Sequence, residues 1–157
     1  MAADLTESAQ ITRFEGFHPE VAIARELFAG GHLQEAVRKA AERFINRVAQ
    51  EAEREDLHGA SLMNHAFSAE QPVLVFSESR LTPTEQSFHN GFRFLAVGLT
   101  EAIRNVYTHE DKVDVDEIEA LEWIGFISAM HRRLDRAEQV ADSLESVTHS
   151  EGDRETD

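Results

Sequence analysis

Cysteine is absent from this chain of 157 residues. Its absence excludes disulfides, thiolate metal ligands and a cysteine nucleophile, and it is compatible with a reducing compartment. Three prolines and eight glycines are too few for a sandwich or barrel built from many short strands and turns. No run approaches the roughly 20 apolar residues of a membrane span, and the first residues lack the basic and apolar regions of a signal peptide. We therefore expect a soluble, cytoplasmic protein with no membrane partner.

Basic residues are also scarce. The chain has 15 Lys and Arg against 30 Asp and Glu, which gives a net charge of −15. Nucleic-acid-binding surfaces usually carry clustered Lys and Arg, so the composition argues against general binding of nucleic acid. However, the acid is uneven, since residues 142–157 hold six acidic residues against one arginine, and most of the basic residues are arginines, which suit bidentate contacts to phosphate. The charge is therefore compatible with a local positive cleft on an acidic body.

Apolar residues recur at spacings of three and four along most of the chain, which predicts helices. Pro19 begins the first helix, which Gly30-Gly31 ends, and a helix of about five turns follows. A short helix is expected near residues 61–67. Thr82-Pro83-Thr84-Glu85 has the pattern of a capping box, and either Asp114 or Asp116 caps a last long helix. The helix that begins at the capping box carries the longest regular apolar stripe: Phe88, Phe92, Leu95, Leu99, Ile103 and Val106.

The chain is long enough for one domain with a sizeable core. We expect an N-terminal arm over residues 1–17, a helical domain over residues 18–143 and a flexible acidic tail over residues 144–157. The fold class is all-α, an antiparallel bundle of four or five helices. Trp123 and Phe126 widen the apolar surface of the last helix, which suggests a subunit interface.

One six-residue run carries candidate chemistry: Arg104-Asn105-Val106-Tyr107-Thr108-His109. On an unbroken helix, Arg104 and His109 would point about 140° apart and lie about 7.5 Å apart along the axis. The four residues between them are poor helix formers, so we expect the helix to end here and the chain to turn His109 back toward Arg104. Arg104 would then hold a phosphate, and His109 would transfer protons without a metal or other cofactor. Asn105 would orient the histidine or the phosphate.

The spacing of this pair is not specific by itself, since Arg13 and His18 are also five positions apart. Without a function, Arg104 would be an arginine interacting with the helix dipole at a helix C-terminus, and His109 a surface loop histidine. The position of the run at a helix end, together with Asn105, favours the functional interpretation.

Other residues are candidates for binding a substrate or a metal. Arg93 lies on nearly the same helical face as Arg104 and is a candidate phosphate contact or else a member of a surface salt bridge. Arg132 and Arg133 lie on the last helix and are candidate substrate contacts that would add positive potential to the cleft. Glu15/His18 and Glu55/His58 have the spacing of di-iron ligands, but matching glutamates on other helices are not evident. We expect no metal site.

The Arg-Asn-x-x-x-His run in a helical bundle resembles the HEPN superfamily. Four further segments resemble its Ymh-type branch: Phe17-His18-Pro19-Glu20-Val21, Gly31-His32-Leu33-Gln34-Glu35-Ala36-Val37, Gly59-Ala60-Ser61-Leu62-Met63 and Gly91-Phe92-Arg93-Phe94-Leu95. The resemblance covers roughly residues 17–138. Where this branch has a proline after the Asn, the chain has Val106, which fixes the helix end less sharply.

The resemblance implies a homodimer in which two Arg/His pairs face one cleft. It also implies a metal-independent endoribonuclease of a toxin-antitoxin, stress or antiviral defence system, in which Arg104 and His109 promote attack by the 2′-hydroxyl of RNA and leave a 2′,3′-cyclic phosphate. Further partners would be an antitoxin or another defence-system protein. The alternative is a non-catalytic dimeric helical adaptor or a module that senses nucleic acid.

Overall fold

The computed structural model describes residues 13–76, 82–109 and 113–151. Most of the predicted N-terminal arm, residues 1–12, lies outside these ranges, as do Glu110, Asp111 and residues 152–157 of the predicted tail. The described residues form helices and no strand, which confirms the all-α class of a small helical bundle. No helix within them is long and apolar enough to cross a membrane.

The helices follow one another along the chain with short connections. A 3-10 helix, Pro19–Ala24, leads into α1, Arg25–Ala29. The next helices are α2, Leu33–Glu51, α3, Gly59–Ala66, and α4, Pro83–Gly98. A π-helical segment, Leu99–Asn105, follows α4 directly and continues into α5, Val106–His109. The last helix, α6, is Glu117–Glu151 and extends through half of the predicted tail segment. The boundaries of arm, domain and tail stay predictions.

Local side-chain bonds begin two of these helices as predicted. Glu85 donates its backbone N–H to Thr82 Oγ1 at 3.2 Å, and Thr82 donates its own to Glu85 Oε2 at 3.1 Å. This reciprocal pair is a capping box, which satisfies two backbone donors at the start of α4. Before α6, Asp116 Oδ1 accepts the backbone N–H of Glu119 at 2.8 Å. Asp116, rather than Asp114, is therefore the cap.

The chain forms two compact units, described separately below. The first unit contains residues 13–47, 98–109 and 113–132 of the described chain, and the second contains residues 48–76, 82–97 and 133–151. The core of the first unit includes fully buried Phe28, Phe44, Ile124 and Ile127. The core of the second unit is aromatic: Phe76 lies 4.4 Å from Phe92 and 5.6 Å from Phe67 between ring centroids.

The apolar stripe of α4 is only partly buried, contrary to the prediction. Phe92, Leu99 and Ile103 are buried, whereas Phe88 is 39% exposed and Leu95 is 50% exposed. Val106, the last residue of the stripe, is also exposed. The buried face of this helix and its extension also includes the next position along the chain, at His89, Ala96, Thr100 and Tyr107. Successive residues are about 100° apart on a helix, so the centre of the buried face lies between these residues and the stripe, and part of the stripe is exposed.

Candidate active site

The helix that carries the six-residue run does not end where the sequence predicted. Leu99–Asn105 is π-helical and Val106–His109 is α-helical, so Arg104 and His109 remain on one helical segment. The predicted turn of His109 back toward Arg104 is therefore wrong. Poor helix formers are tolerated here because Ile103 and Tyr107 are buried, and packing of buried side chains overrides weak intrinsic preferences. π-Helical turns are rare and frequently occur at functional sites.

Asn105 positions Arg104 rather than His109. The Arg104 guanidinium donates to Asn105 Oδ1 at 3.0 Å, and Asn105 Nδ2 donates to Glu101 Oε2 at 3.3 Å. Thr108 Oγ1 donates to the backbone carbonyl of Arg104 at 2.6 Å. His109 is exposed, and none of the described residues hydrogen-bonds to its ring. The structure thus joins two of the three predicted catalytic residues and leaves His109 open to solvent.

The helical path also limits what Arg104 and His109 of one chain can do together. Arg104 lies in the π-helical segment, and His109 ends α5. On an ideal α-helix, side chains five residues apart project about 140° apart, which would not bring both to one phosphate group.

Gln34 of α2 holds the chain on both sides of the loop that follows His109. Its side-chain amide donates to the backbone carbonyl of Tyr107 at 3.4 Å, and its Oε1 accepts the backbone N–H of Val113 at 3.0 Å. The last carbonyls of a helix lack partners within the helix, so this bond fixes the end of α5. Sequence reasoning missed Gln34 as a site residue, because its partners lie more than 70 positions away. In the sequence, the one indication of Gln34 was that it lies in a segment that resembles the Ymh-type branch.

Tyr107 anchors the same helix end in the first unit. Its side chain is buried, and burial raises the pKa of its phenol, with a further contribution from the nearby Glu119 carboxylate. Trp123 Nε1 donates to Glu119 at 3.2 Å, so the first turns of α6 form the wall against Tyr107. Trp123 and Phe126 are half-buried. Their predicted role in a subunit interface stays a prediction.

The arginines singled out by sequence differ in their partners from four other arginines. Arg13, Arg38, Arg43 and Arg54 form ion pairs with carboxylates. Among the described residues, no carboxylate forms an ion pair with any of the four candidate arginines: Arg93, Arg104, Arg132 and Arg133. In a chain with twice as many acidic as basic residues, unpaired guanidinium groups are the ones available to an anion.

The three predicted substrate contacts are held by neutral groups. Arg93, in the second unit, donates to Asn64 at 3.0 Å and Asn90 at 2.7 Å, and it lies 4.6 Å from the centre of the Phe94 ring. Arg132, in the first unit, donates to the backbone carbonyl of Gly16. Arg133, in the second unit, lies over the ring of Phe88 at 5.1 Å. Within the described part of the chain, Arg93 does not form the surface salt bridge that was the alternative interpretation.

A buried polar cluster in the first unit was not expected as a site. His131 is fully buried and stacks on His18, with ring centroids 5.1 Å apart and planes 10° apart. Its Nδ1 lies 3.4 Å from the guanidinium of Arg47. Burial lowers the pKa of His131 to about 4, with smaller contributions from His18 and Arg47. His131 is therefore neutral at neutral pH and stabilises the fold without adding positive charge to the surface.

His18, which was considered as a metal ligand, caps the 3-10 helix, and the neighbouring Glu20 forms an ion pair. His18 Nδ1 accepts the backbone N–H of Glu20 at 3.2 Å at the start of the 3-10 helix. Glu20 pairs with Arg43, whose hydrogen bond lowers the pKa of the carboxyl group. Within residues 13–76, 82–109 and 113–137, no group of three or more His, Asp or Glu side chains is arranged to hold a metal ion.

A family model described as a protein of unknown function, Hypoth_Ymh, matches residues 15–134. The chain belongs to the Ymh family. The matched span contains the whole Arg104 to His109 run, Gln34 and the His18/His131 cluster, so every site feature above lies within the Ymh domain. No curated protein and no solved structure matches the chain.

Proposed function

We propose that this Ymh protein is a metal-independent endoribonuclease of the HEPN type, acting in the cytoplasm as a homodimer. One observation carries the proposal. Asn105 holds the guanidinium of Arg104, which no described carboxylate neutralises, on a π-helical turn that leads directly to the exposed His109. A guanidinium can bind a phosphodiester, and an imidazole can transfer the protons that its cleavage requires.

The proposed reaction is attack of an RNA 2′-hydroxyl on the adjacent phosphorus atom. His109 of one copy accepts the hydroxyl proton, and Arg104 stabilises the charge that develops on the phosphoryl oxygens. Water donates a proton to the departing 5′-oxygen, and the hydroxide that this leaves takes up the proton from His109. The products are a 2′,3′-cyclic phosphate and a 5′-hydroxyl, so protons and bonds balance without a cofactor. Arg93, Arg132 and Arg133 are proposed to contact further phosphates of the RNA.

An exposed apolar face of α4 supports the proposal that the protein is a homodimer. Phe94 is 60% exposed and Leu95 is 50% exposed, and a Cβ atom added at Gly91 would meet nothing within 4 Å. Exposed apolar surface of this kind is typical of protein interfaces. A dimer would bring Arg104 of one copy to His109 of the other, an approach that an ideal α-helical course between them disfavours within one chain. A role in toxin-antitoxin, stress or antiviral defence, with an antitoxin or defence-system partner, follows from the HEPN resemblance alone.

The proposal is tested with purified protein and mixed-sequence RNA in EDTA. His109→Ala and Arg104→Ala are each expected to lower the cleavage rate by about a hundredfold or more. His58→Ala and Arg54→Ala are matched controls, because His58 is exposed before α3 and Arg54 is ion-paired with Asp56. Both controls should cleave RNA at the rate of the unchanged protein.

The outcomes separate the nuclease from the adaptor. Equal cleavage by all five proteins would assign the activity to a contaminant or to other residues. If no protein cleaves any RNA at any pH, and the unchanged dimer does not bind RNA at low salt, the non-catalytic adaptor becomes the better description. Its partner would then cover the exposed face of α4.

A further inference from the structure

The second unit contains a pocket that is separate from the proposed catalytic residues, although Arg133, which lines it, is also a proposed phosphate contact. Its volume is about 430 Å³, and the residues that line it include Phe76, Phe88, Glu85, Arg133 and Arg136. Neither Arg104 nor His109 lines it. The pocket combines aromatic rings with two guanidinium groups, and this combination is informative about its ligand.

The aromatic wall of the pocket consists of Phe76, which packs against other rings, and Phe88, which is partly exposed. Phe76 is fixed by four rings, since its centroid lies within 6 Å of those of Phe67, Phe88, His89 and Phe92. Phe88 stands at the edge of this cluster and is 39% exposed. The guanidinium of Arg133 lies 5.1 Å from the centre of the Phe88 ring. Planar nucleobases stack on such rings and on guanidinium planes.

The charge of the pocket favours an anion. Arg133 and Arg136 are exposed and three residues apart on α6, so they lie on the same helical face. Neither forms an ion pair with a carboxylate of the described residues. Glu85, the carboxylate of the pocket, accepts the backbone N–H of Thr82 in the capping box.

We propose that this pocket binds a nucleotide, with the base stacked on Phe88 and the phosphate between Arg133 and Arg136. The nucleotide is either a free mononucleotide or one unit of an RNA chain. The proposal does not rest on ribonuclease activity.

Calorimetric titration of the full-length protein tests the proposal. The ligands are the four ribonucleoside monophosphates, the matching nucleosides, inorganic phosphate and a short RNA made uncleavable by 2′-O-methyl groups. At least one monophosphate or the RNA should bind saturably and more tightly than nucleoside or phosphate. Saturable binding of the monophosphate indicates a free nucleotide, and binding of RNA alone indicates a subsite for the chain.

Variants then locate the ligand. Phe88→Leu and the double change Arg133→Gln, Arg136→Gln should each weaken binding by about tenfold or more, while Phe88→Tyr should retain it. Arg54→Gln is the charge control in the same unit and should bind normally. Circular dichroism and thermal unfolding establish that each variant is folded. The proposal is overturned if no nucleotide or RNA binds, if phosphate binds as tightly as nucleotide, or if Phe88→Leu binds as tightly as the unchanged protein.

Discussion

The charge state of His131 links single-residue chemistry to the stability of the first unit. In the folded chain its pKa is about 4, and in the unfolded chain it has the ordinary value of 6.5. The unfolded state therefore binds a proton first as the pH falls. Neutral His131 makes its full contribution to the free energy of unfolding above pH 6.5. As the pH falls toward 4, this free energy decreases by about 3 kcal/mol in total. Glu20 opposes the shift, while Arg43, Arg47 and His18 favour it.

Urea unfolding between pH 7.5 and 4.5 tests this prediction. His131→Gln keeps a polar side chain near Arg47 but removes the titrating ring, and both proteins share all the carboxylates. The free energy of unfolding of the unchanged protein should fall more steeply than that of the variant across this range. Parallel curves would contradict a buried neutral histidine.

At the scale of helices and loops, the prediction concerns the clamp between α2 and the end of α5. Gln34→Ala removes the bonds to Tyr107 and Val113, so His109 loses its fixed position. We expect kcat for RNA cleavage to fall by about tenfold, with a smaller change in KM, because misplacement of a catalytic group affects chiefly the chemical step.

Gln34→Glu is an informative intermediate, since it keeps the acceptor for Val113 and loses the donor to Tyr107. Gln50→Ala, at the exposed far end of α2, is the control and should have unchanged kinetics. Full activity in Gln34→Ala would show that the clamp does not position the site.

Sequence alone predicted those helical features that depend on neighbouring residues. The capping box at Thr82 and Glu85, the cap at Asp116 and the regular course of α2 all involve partners within about one turn. The end of the helix after Arg104 was mispredicted, because burial of Tyr107 and the π-helical turn depend on distant packing. The clamp by Gln34 depends on a contact across more than 70 positions and has no local signal.

The candidate site was predictable to a similar degree. Arg104, Asn105 and His109 were recognisable as a motif, but sequence could not show that Asn105 bonds to Arg104 and not to His109. Sequence did not predict that Phe88 is exposed, because its spacing fits a buried stripe. This exposure lets Phe88 form a wall of the pocket in the second unit.

At the scale of the whole molecule, the prediction is that the active form is a dimer whose sites combine two chains. Phe94→Asp places a charge on the exposed face of α4 and should shift the protein toward monomer in analytical ultracentrifugation. Val73→Asp is the control, because Val73 is also exposed but lies outside α4. An unchanged dimer in Phe94→Asp would exclude this face as the interface.

Mixing two inactive variants tests the shared sites directly. In a heterodimer of Arg104→Ala and His109→Ala chains, one composite site keeps both residues and the other loses both. Random mixing should therefore restore about a quarter of the activity of the unchanged protein. No recovery after verified subunit exchange would place Arg104 and His109 of the same chain in one site.

The most direct test of the central claim is cleavage of one defined RNA by the unchanged protein in EDTA. The same RNA is prepared with a single 2′-deoxynucleotide at the cleaved position. We predict 2′,3′-cyclic phosphate and 5′-hydroxyl ends on the all-ribose RNA and no cleavage at the deoxy position. Cleavage at the deoxy position, or 5′-phosphate ends, would contradict attack by the 2′-hydroxyl and with it the roles of Arg104 and His109.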